Sequence, residues 1–186
     1  MESKETMLTA GGGYAMIRKY LSGRVMVLID AANLECSLKQ LQWHMDYEKL
    51  FKSFSNNADL IEIGYYGPKF ATPNHNNFLT KLKKLGYKLS TKDLKKIYNN
   101  DGKCINKANF DVEISLDAAN LADKYDTLVL FSGDSDFAYL LEILKKRNKK
   151  VIVVSSRYHI SKELVGRSYK YIELNNLKGM LQRVGV

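Results

Sequence analysis

Cysteine, histidine and long apolar runs are all scarce in this sequence, and each scarcity excludes a class of protein. The 186 residues include two cysteines, Cys36 and Cys104, which have no motif spacing, and this predicts a reduced protein without a disulfide framework. No apolar run approaches the roughly 20 residues that span a bilayer. The first residues lack the basic start and apolar centre of a signal peptide. We therefore expect a cytoplasmic protein with no membrane partner.

The chain also lacks the common signatures of zinc sites and of several enzyme classes. The three histidines, His44, His75 and His159, are scattered, and we interpret each as a surface or packing residue rather than a zinc ligand. There is no P-loop, no Gly-x-Gly-x-x-Gly pattern and no Ser-His-Asp order. Positive charge, by contrast, is abundant. The net charge of +9 favours a polyanionic partner, either nucleic acid or an acidic membrane.

The most informative stretch is residues 126–137, Asp-Thr-Leu-Val-Leu-Phe-Ser-Gly-Asp-Ser-Asp-Phe. Its apolar run predicts a buried strand, and a helix with apolar residues at i, i+3, i+4 and i+7 begins at Phe137. Asp134 and Asp136 lie between them. They can cap the helix, or they can bind a ligand at the carboxyl end of the strand, where open α/β sheets bind ligands. Further carboxylates at the same edge would favour ligand binding.

Other segments of the chain repeat the pattern of a strand followed by a helix. Val25–Asp30 is an apolar strand that ends in a carboxylate, and Asn33 follows it. Further strands are predicted at Leu60–Tyr66, Tyr87–Thr91, Lys150–Ser155 and Tyr171–Leu174, with a hairpin that pairs Leu94–Tyr98 with Lys103–Ile105. The order of these elements predicts an α/β fold with a mostly parallel sheet covered by helices on both faces. We expect one domain over residues 24–186 after a flexible extension over residues 1–23.

Helix ends are marked by capping residues. Asp46 and Thr72-Pro73 predict two helix starts, and Gly86 predicts a helix end. The segment Phe110–Leu121 fits the period of a strand and of a helix, and its alanines favour the helix. A short helix is predicted at His159–Val165. The last helix is predicted to carry Leu177, Met180, Leu181 and Val184.

Four carboxylates are expected at strand ends and helix starts: Asp30, Asp111, Asp134 and Asp136. A set of oxygen ligands suits hard cations such as Mg²⁺ or Mn²⁺ rather than zinc. Buried carboxylates that lie together have raised pKa values unless a cation neutralises them. Asp117 lies six positions after Asp111, on a different face of the predicted helix, so the two need not bind one ion.

These residues resemble a known family. Ile29-Asp-Ala-Ala-Asn33, Phe110-Asp-Val112 with Asp117, and Ser132-Gly-Asp-Ser-Asp-Phe137 resemble the three signature blocks of the NYN domain, in its LabA-like branch of the PIN-like nuclease superfamily. Tyr65-Tyr-Gly67 is similar to the second strand of that branch. The resemblance covers roughly Val25 to Leu174. The chain departs from the pattern at Asn109-Phe110, where many relatives have Gly-Val, and this alters a pocket wall rather than the acids.

The resemblance implies a Rossmann-like three-layer α/β/α sandwich and hydrolysis of single-stranded or structured RNA. It implies Asp30, Asp111, Asp134 and Asp136 as catalytic ligands of Mg²⁺ or Mn²⁺. By the same resemblance, Asn33 and Ser132 orient ligands or substrate, and Asp117 is an accessory acid. We expect in-line attack by water activated at the metal, which leaves 5′-phosphate and 3′-hydroxyl ends. Since PIN-like domains often pair, a homodimer is a further expectation.

The basic residues indicate where RNA would bind. Nine lysines but only two aspartates lie between Lys81 and Lys107. We predict phosphate contacts for Lys103, Lys107 and Arg157, and base stacking for Tyr65, Tyr66 or Tyr158. The alternative for these tyrosines is a packing role, which we favour for Tyr65.

Two other functions remain open at this point. A non-catalytic RNA-binding or regulatory adaptor would keep the fold and the basic surface, although binding alone does not require clustered negative charge. An aspartate-nucleophile phosphatase fits less well, since Asp30 is followed by Ala31-Ala32 and lacks the second aspartate, two positions on, that serves such enzymes as acid–base.

Overall fold

The computed structural model of the chain describes residues 15–98 and 104–184. The strands are β1 (Arg24–Asp30), β2 (Asp59–Lys69), β3 (Lys88–Asp93), β4 (Lys95–Tyr98), β5 (Cys104–Lys107), β6 (Thr127–Phe131), β7 (Lys150–Ser155) and β8 (Lys170–Glu173). Six of them form one sheet in the order β3-β2-β1-β6-β7-β8, and all of its neighbours pair in parallel. β4 and β5 form the predicted antiparallel hairpin.

Helices cover both faces of the sheet, as the sequence predicted. They are α1 (Ala31–Leu41), α2 (Tyr47–Ser55), α3 (Pro73–Leu85), α4 (Asp111–Asn120), α5 (Ala138–Lys146), α6 (Lys162–Arg167) and α7 (Lys178–Leu181). Buried residues of α1, α2, α3 and α7 belong to one apolar cluster, and those of α4, α5 and α6 belong to the other. The fold is therefore the expected three-layer α/β/α sandwich.

The two apolar clusters follow from the alternation of side chains along each strand. In β1, Val27 and Ile29 enter the first cluster, whereas Met26 and Leu28 enter the second. All four are fully buried. Strands buried on both faces need continuous apolar runs, and this explains why β1, β6 and β7 were readable from the sequence.

The capping residues act as their identities predict. The Asp46 carboxylate accepts hydrogen bonds from the first amides of α2. Thr72 caps α3, with Pro73 in its first turn, and Gly86 ends that helix in the left-handed conformation at φ 106°. The segment Phe110–Leu121, which fitted both periods, forms the helix α4. Ile114 and Ala118, four positions apart on it, are both buried in the second apolar cluster.

Some predicted boundaries are wrong. The helix predicted at His159–Val165 begins later, at Lys162, because the Ser161 hydroxyl caps the Leu164 amide while the His159 amide bonds to the carbonyl of Ser156 in a turn. The last helix ends at Leu181, and Val184 is 82% exposed rather than part of an apolar stripe.

Three predicted strands are also displaced or too short. β2 continues to Lys69 instead of ending at Tyr66, because parallel pairing with β3 continues to that residue. β3 runs from Lys88 to Asp93 rather than over Tyr87–Thr91, and β8 begins one residue before the predicted start.

The described part of the predicted extension, residues 15–23, is attached to the domain. Residues 15–18 form a helical turn, and Ile17 in it is fully buried. The Thr127 hydroxyl donates to the Ser22 carbonyl oxygen at 2.7 Å. Residues 1–14 lie outside the described residues, so the domain boundary stays a prediction. None of the helices in the described part of the chain is both long and apolar enough to cross a lipid bilayer.

Candidate functional site

The acidic residues meet at the switch point of the sheet. β1 pairs with β2 on one side and with β6 on the other, so the connections leave the carboxyl ends of β1 and β6 in opposite directions and open a crevice between them. The crevice holds an open pocket of about 330 Å³. Its lining residues are Asp30, Ala32, Asn33, Cys36, Ala108, Asn109, Phe110, Asp111, Asp134, Asp136 and His159.

Three of the predicted ligands form one group. Asp111, Asp134 and Asp136 each place a carboxylate oxygen within 4.8 Å of the other two. Two oxygens bound to one Mg²⁺ lie at most about 4.2 Å apart, twice the usual metal–oxygen distance. The group is thus close to the spacing of a single ion, and its oxygen-only donor set is suited to a hard divalent cation.

Asp30, the fourth predicted ligand, lines the same pocket from the end of β1 but is held separately. Its carboxylate accepts hydrogen bonds from the Ser132 hydroxyl at 3.0 Å and from the Asn33 amide at 3.3 Å. Burial raises the pKa of the Asp30 carboxyl, and these hydrogen bonds oppose the rise. The negative charges of Asp111 and Asp134 raise it further, because nearby like charges disfavour the ionised form.

The first and third sequence blocks are joined through Ser132, Gly133 and Asn33. The Ser132 hydroxyl contacts Asp30 and also accepts a hydrogen bond from the Asp134 amide at 3.3 Å. The Gly133 amide donates to the Asn33 side-chain oxygen at 2.9 Å. A Cβ at Gly133 would collide with the carbonyl oxygen of His159, so only glycine allows this close approach. These contacts join Asn33 and Ser132 to the acids, and their orienting role stays a prediction.

The capping interpretation is confirmed for Asp134, and ligand binding by Asp134 and Asp136 stays a prediction. The Asp134 carboxylate accepts a hydrogen bond from the Asp136 amide at 3.1 Å and caps the 3-10 turn Ser135–Phe137 that precedes α5. The same carboxylate belongs to the three-acid group. The cap uses one carboxylate oxygen of Asp134 and does not require the carboxylate of Asp136.

Asp111 is positioned by the corner that begins α4. Its amide donates to the Asn109 side-chain oxygen at 2.8 Å. The Lys92 ammonium donates to the Asn109 carbonyl oxygen at 3.0 Å, pairs with Glu113, and lies 4.9 Å from the centre of the Phe110 ring. Asn109 and Phe110 thus line the pocket, and Lys92, which does not line it, contacts both of them.

Two predicted site residues lie apart from the acidic pocket, and the stacking assignment of Tyr66 is corrected. Tyr66 is 1% exposed, so its ring has no free face for a base, and its hydroxyl donates to Asp117 at 2.6 Å. Asp117 also contacts Lys88 at 3.5 Å and does not line the pocket. The reason is the helical period, since six positions turn Asp117 away from Asp111. Tyr65 is buried too, 4% exposed, in agreement with its packing interpretation.

Of the other residues predicted to bind RNA, the structure describes the side chains of Arg157 and Tyr158 but not those of Lys103 and Lys107. Arg157 and Tyr158 follow β7, and the Tyr158 ring is 53% exposed with the guanidinium of Arg157 5.1 Å from its centre. Lys103 lies outside the described residues. Lys107 ends β5 immediately before Ala108 of the pocket lining, but its side chain is likewise not described.

Sequence reasoning did not assign His159 and Cys36 to the pocket. His159 was interpreted as a surface or packing residue, yet it is among the residues that line the pocket with the acids. Its position was the available signal, because it follows a buried strand of the same sheet and therefore arrives at the same carboxyl edge.

Comparisons with known proteins agree with this architecture. The NYN domain family matches residues 24–175. The low amplitude and bright protein LabA of Synechococcus elongatus is 30% identical over 164 residues, which cover 86% of this chain and 88% of that protein. A crystal structure of a protein of unknown function from Vibrio parahaemolyticus superposes with a TM-score of 0.72 at 25% identity, over 86% of this chain and 96% of that chain.

Proposed function

This chain belongs to the NYN domain family, and from that premise we propose that it is a metal-dependent ribonuclease that hydrolyses RNA phosphodiester bonds. The family is part of the PIN-like nuclease superfamily, which supports a nuclease-type or RNA-related role. The observation that carries the proposal is the group formed by Asp111, Asp134 and Asp136, whose oxygens lie within 4.8 Å of one another.

The four acids of the pocket would hold Mg²⁺ or Mn²⁺, with Asp30 beside the three-acid group. Such an ion, when bound, neutralises phosphodiester charge and makes water a better nucleophile at neutral pH. The chain itself supplies orientation. The Asn33 side-chain oxygen is occupied by the Gly133 amide, so its amide nitrogen is the group left to donate to a phosphate. Ser132 holds Asp30 and the Asp134 amide in a fixed relation.

RNA would reach the pocket over a basic and aromatic surface. Arg157 supplies a phosphate contact, and the exposed ring of Tyr158 supplies a stacking face for an unpaired base. Further phosphate contacts would come from Lys103 and Lys107, which precede the pocket wall in the sequence. A cytoplasmic location and a homodimer belong to the same proposal.

The test is cleavage of an end-labelled single-stranded RNA with Mn²⁺, with Mg²⁺ or with chelator. The wild type should cut only with metal, and Asp134→Asn, which keeps the capping oxygen, should not cut. Asp123→Asn is the matched control, because it removes an exposed carboxylate that does not line the pocket. Binding of the RNA without cutting by any of the three proteins would replace the nuclease with the RNA-binding adaptor.

A further inference from the structure

His159 reaches the acidic pocket on the loop that follows β7. This loop is fixed against the block that carries Asp134, because the Ser161 amide donates to the Gly133 carbonyl oxygen at 2.9 Å and Gly133 leaves no room for a Cβ beside the His159 backbone. The imidazole therefore has a set position relative to the acids rather than one that varies with a free loop.

Two buried hydroxyls fix the ring. The His159 Nδ1 atom lies 3.0 Å from the Ser156 hydroxyl oxygen and 3.4 Å from that of Ser37. The two serines are 0% and 1% exposed. Hydroxyl groups rotate and either donate or accept, so both serines can serve the ring in any protonation state. With Nδ1 occupied, Nε2 is the nitrogen left for the pocket.

The chemistry of the pocket gives Nε2 a partner. The lining consists of four carboxylates, the Asn33 and Asn109 amides, the Cys36 thiol and small or apolar groups, with the imidazole among them. The acids would hold a divalent cation here, and the non-bridging oxygens of a phosphodiester bound beside them would accept hydrogen bonds from oriented N–H donors. A neutral imidazole that accepts at Nδ1 carries its proton on Nε2.

We propose that His159 is a catalytic residue whose Nε2–H donates a hydrogen bond to a non-bridging oxygen of the scissile RNA phosphate, with Ser37 and Ser156 as the positioning residues that aim it. This assignment rests on the proposed ribonuclease function. It makes the pocket two-sided, with carboxylates on one side of the phosphate and a hydrogen-bond donor on the other.

The first measurement separates this contact from catalysis. A 5′-phosphorylated pentauridylate is added to the wild type with Ca²⁺, a hard cation that also takes oxygen ligands, and the imidazole nitrogens are followed by NMR. The Nε2 signal of His159 should shift, while the signals of His44 and His75 should not. RNA binding that leaves the His159 signal unchanged overturns the assignment and leaves the ribonuclease proposal intact.

The second measurement uses variants, with the same RNA and fluorescence anisotropy. His159→Ala should weaken binding about 10-fold, as expected for one hydrogen bond to a charged group. His159→Gln, which retains an N–H donor, should recover part of that loss, and the double variant Ser37→Ala/Ser156→Ala should resemble His159→Ala. His44→Ala is the matched control for an exposed histidine away from the acids. Equal binding by His159→Ala and His44→Ala overturns the assignment.

The cleavage assay then keeps the two proposals apart. If the wild type cuts and His159→Ala cuts equally well, this inference fails while the ribonuclease stands. If His159→Ala instead raises the Mn²⁺ concentration needed for half-maximal binding of the ion, measured without RNA, then His159 is a metal ligand and the phosphate contact is wrong. If nothing cuts but the NMR shift and the binding losses appear, the contact holds for RNA bound by an adaptor and the ribonuclease fails.

Discussion

Aspartates at the two edges of the parallel sheet have pKa values that are shifted in opposite directions. At the amino edge, Asp126 precedes β6 and accepts hydrogen bonds from the Arg24 amide at 2.8 Å and from its guanidinium at 3.2 Å. These bonds lower the pKa of Asp126 to about 2. At the carboxyl edge, burial and the nearby carboxylates of Asp111 and Asp134 raise the pKa of Asp30.

The difference shows which carboxylates serve the fold. Arg24 and Asp126 join the first strand to the start of β6, and their opposite charges favour the native state. The carboxyl edge instead collects like charges, which oppose each other's ionisation. Groups that cost stability where they lie are expected at functional sites. The charge pattern thus agrees with a structural role for Asp126 at one edge and with the proposed chemistry at the other.

The largest expected effect separates the edges by activity. Asp136→Asn should lower metal-dependent RNA cleavage by at least about 100-fold, because loss of groups that merely orient metal ligands already costs roughly 10–100-fold. Asp126→Asn makes the same chemical change at the amino edge and should leave cleavage unchanged. Initial rates on labelled single-stranded RNA with Mn²⁺ provide the measurement. Equal losses in the two variants would mean that the edges do not differ in function.

A second prediction separates the edges by metal-dependent stability. Mn²⁺ should raise the free energy of unfolding of the wild type by about 2.7 kcal/mol at a concentration of about 100 times its dissociation constant, since it binds only the native state. The double variant Asp111→Asn/Asp134→Asn should lose this rise, and Asp126→Asn should keep it. Thermal unfolding with Mn²⁺ and with chelator measures both. A rise that persists in the double variant would place the ion elsewhere.

A smaller effect is expected from the basic residue behind the pocket wall. Lys92→Met removes the ammonium that bonds to the Asn109 carbonyl and to Glu113, so Asp111 should be held less firmly. We expect cleavage to fall by up to about 10-fold, with more Mn²⁺ needed for half-maximal activity. Lys84→Met, on the exposed side of α3, is the control. An unchanged Mn²⁺ requirement would show that Lys92 does not position Asp111.

The smallest effect concerns pH at the amino edge. Because the folded-state pKa of Asp126, about 2, lies below the unfolded value of about 3.9, its stabilising contribution is present above pH 4 and is lost as the pH falls towards 2. The wild type should therefore unfold at a higher temperature than Asp126→Asn near neutral pH, and the gap should narrow in acid. If the difference in unfolding temperature between the two proteins stays constant from neutral pH to about pH 2, the ion pair with Arg24 is not its cause.

Much of the fold could be read from local patterns. The strands buried on both faces, β1, β6 and β7, appear as apolar runs, and the caps at Asp46, Thr72 and Gly86 mark helix ends by their own hydrogen-bonding and backbone preferences. The edge strands and the last helix were less accurate. Their limits depend on pairing partners and on packing, as the extension of β2 to Lys69 along β3 shows.

The site was only partly readable for the same reason. An aspartate at the end of a buried strand reaches a known edge of the sheet, so Asp30 and Asp134 could be located from sequence. The burial of Tyr66 depends on α4, whose Asp117 bonds to its hydroxyl. The position of His159 after β7 marks its edge of the sheet, but not its ring contacts, because one of the two serines, Ser37, comes from α1.

The sequence by itself determined the parallel α/β architecture, the family and the identity of the acids, because hydrophobic period and short motifs are local properties of the chain. Tertiary structure decided which side chains share the pocket. It brought Asp111 to Asp134 and Asp136, turned Asp117 away, buried Tyr66 and placed His159 beside the acids. Those outcomes depend on the order of strands across the sheet and on the rotation of α4, which set distances between residues far apart in the sequence.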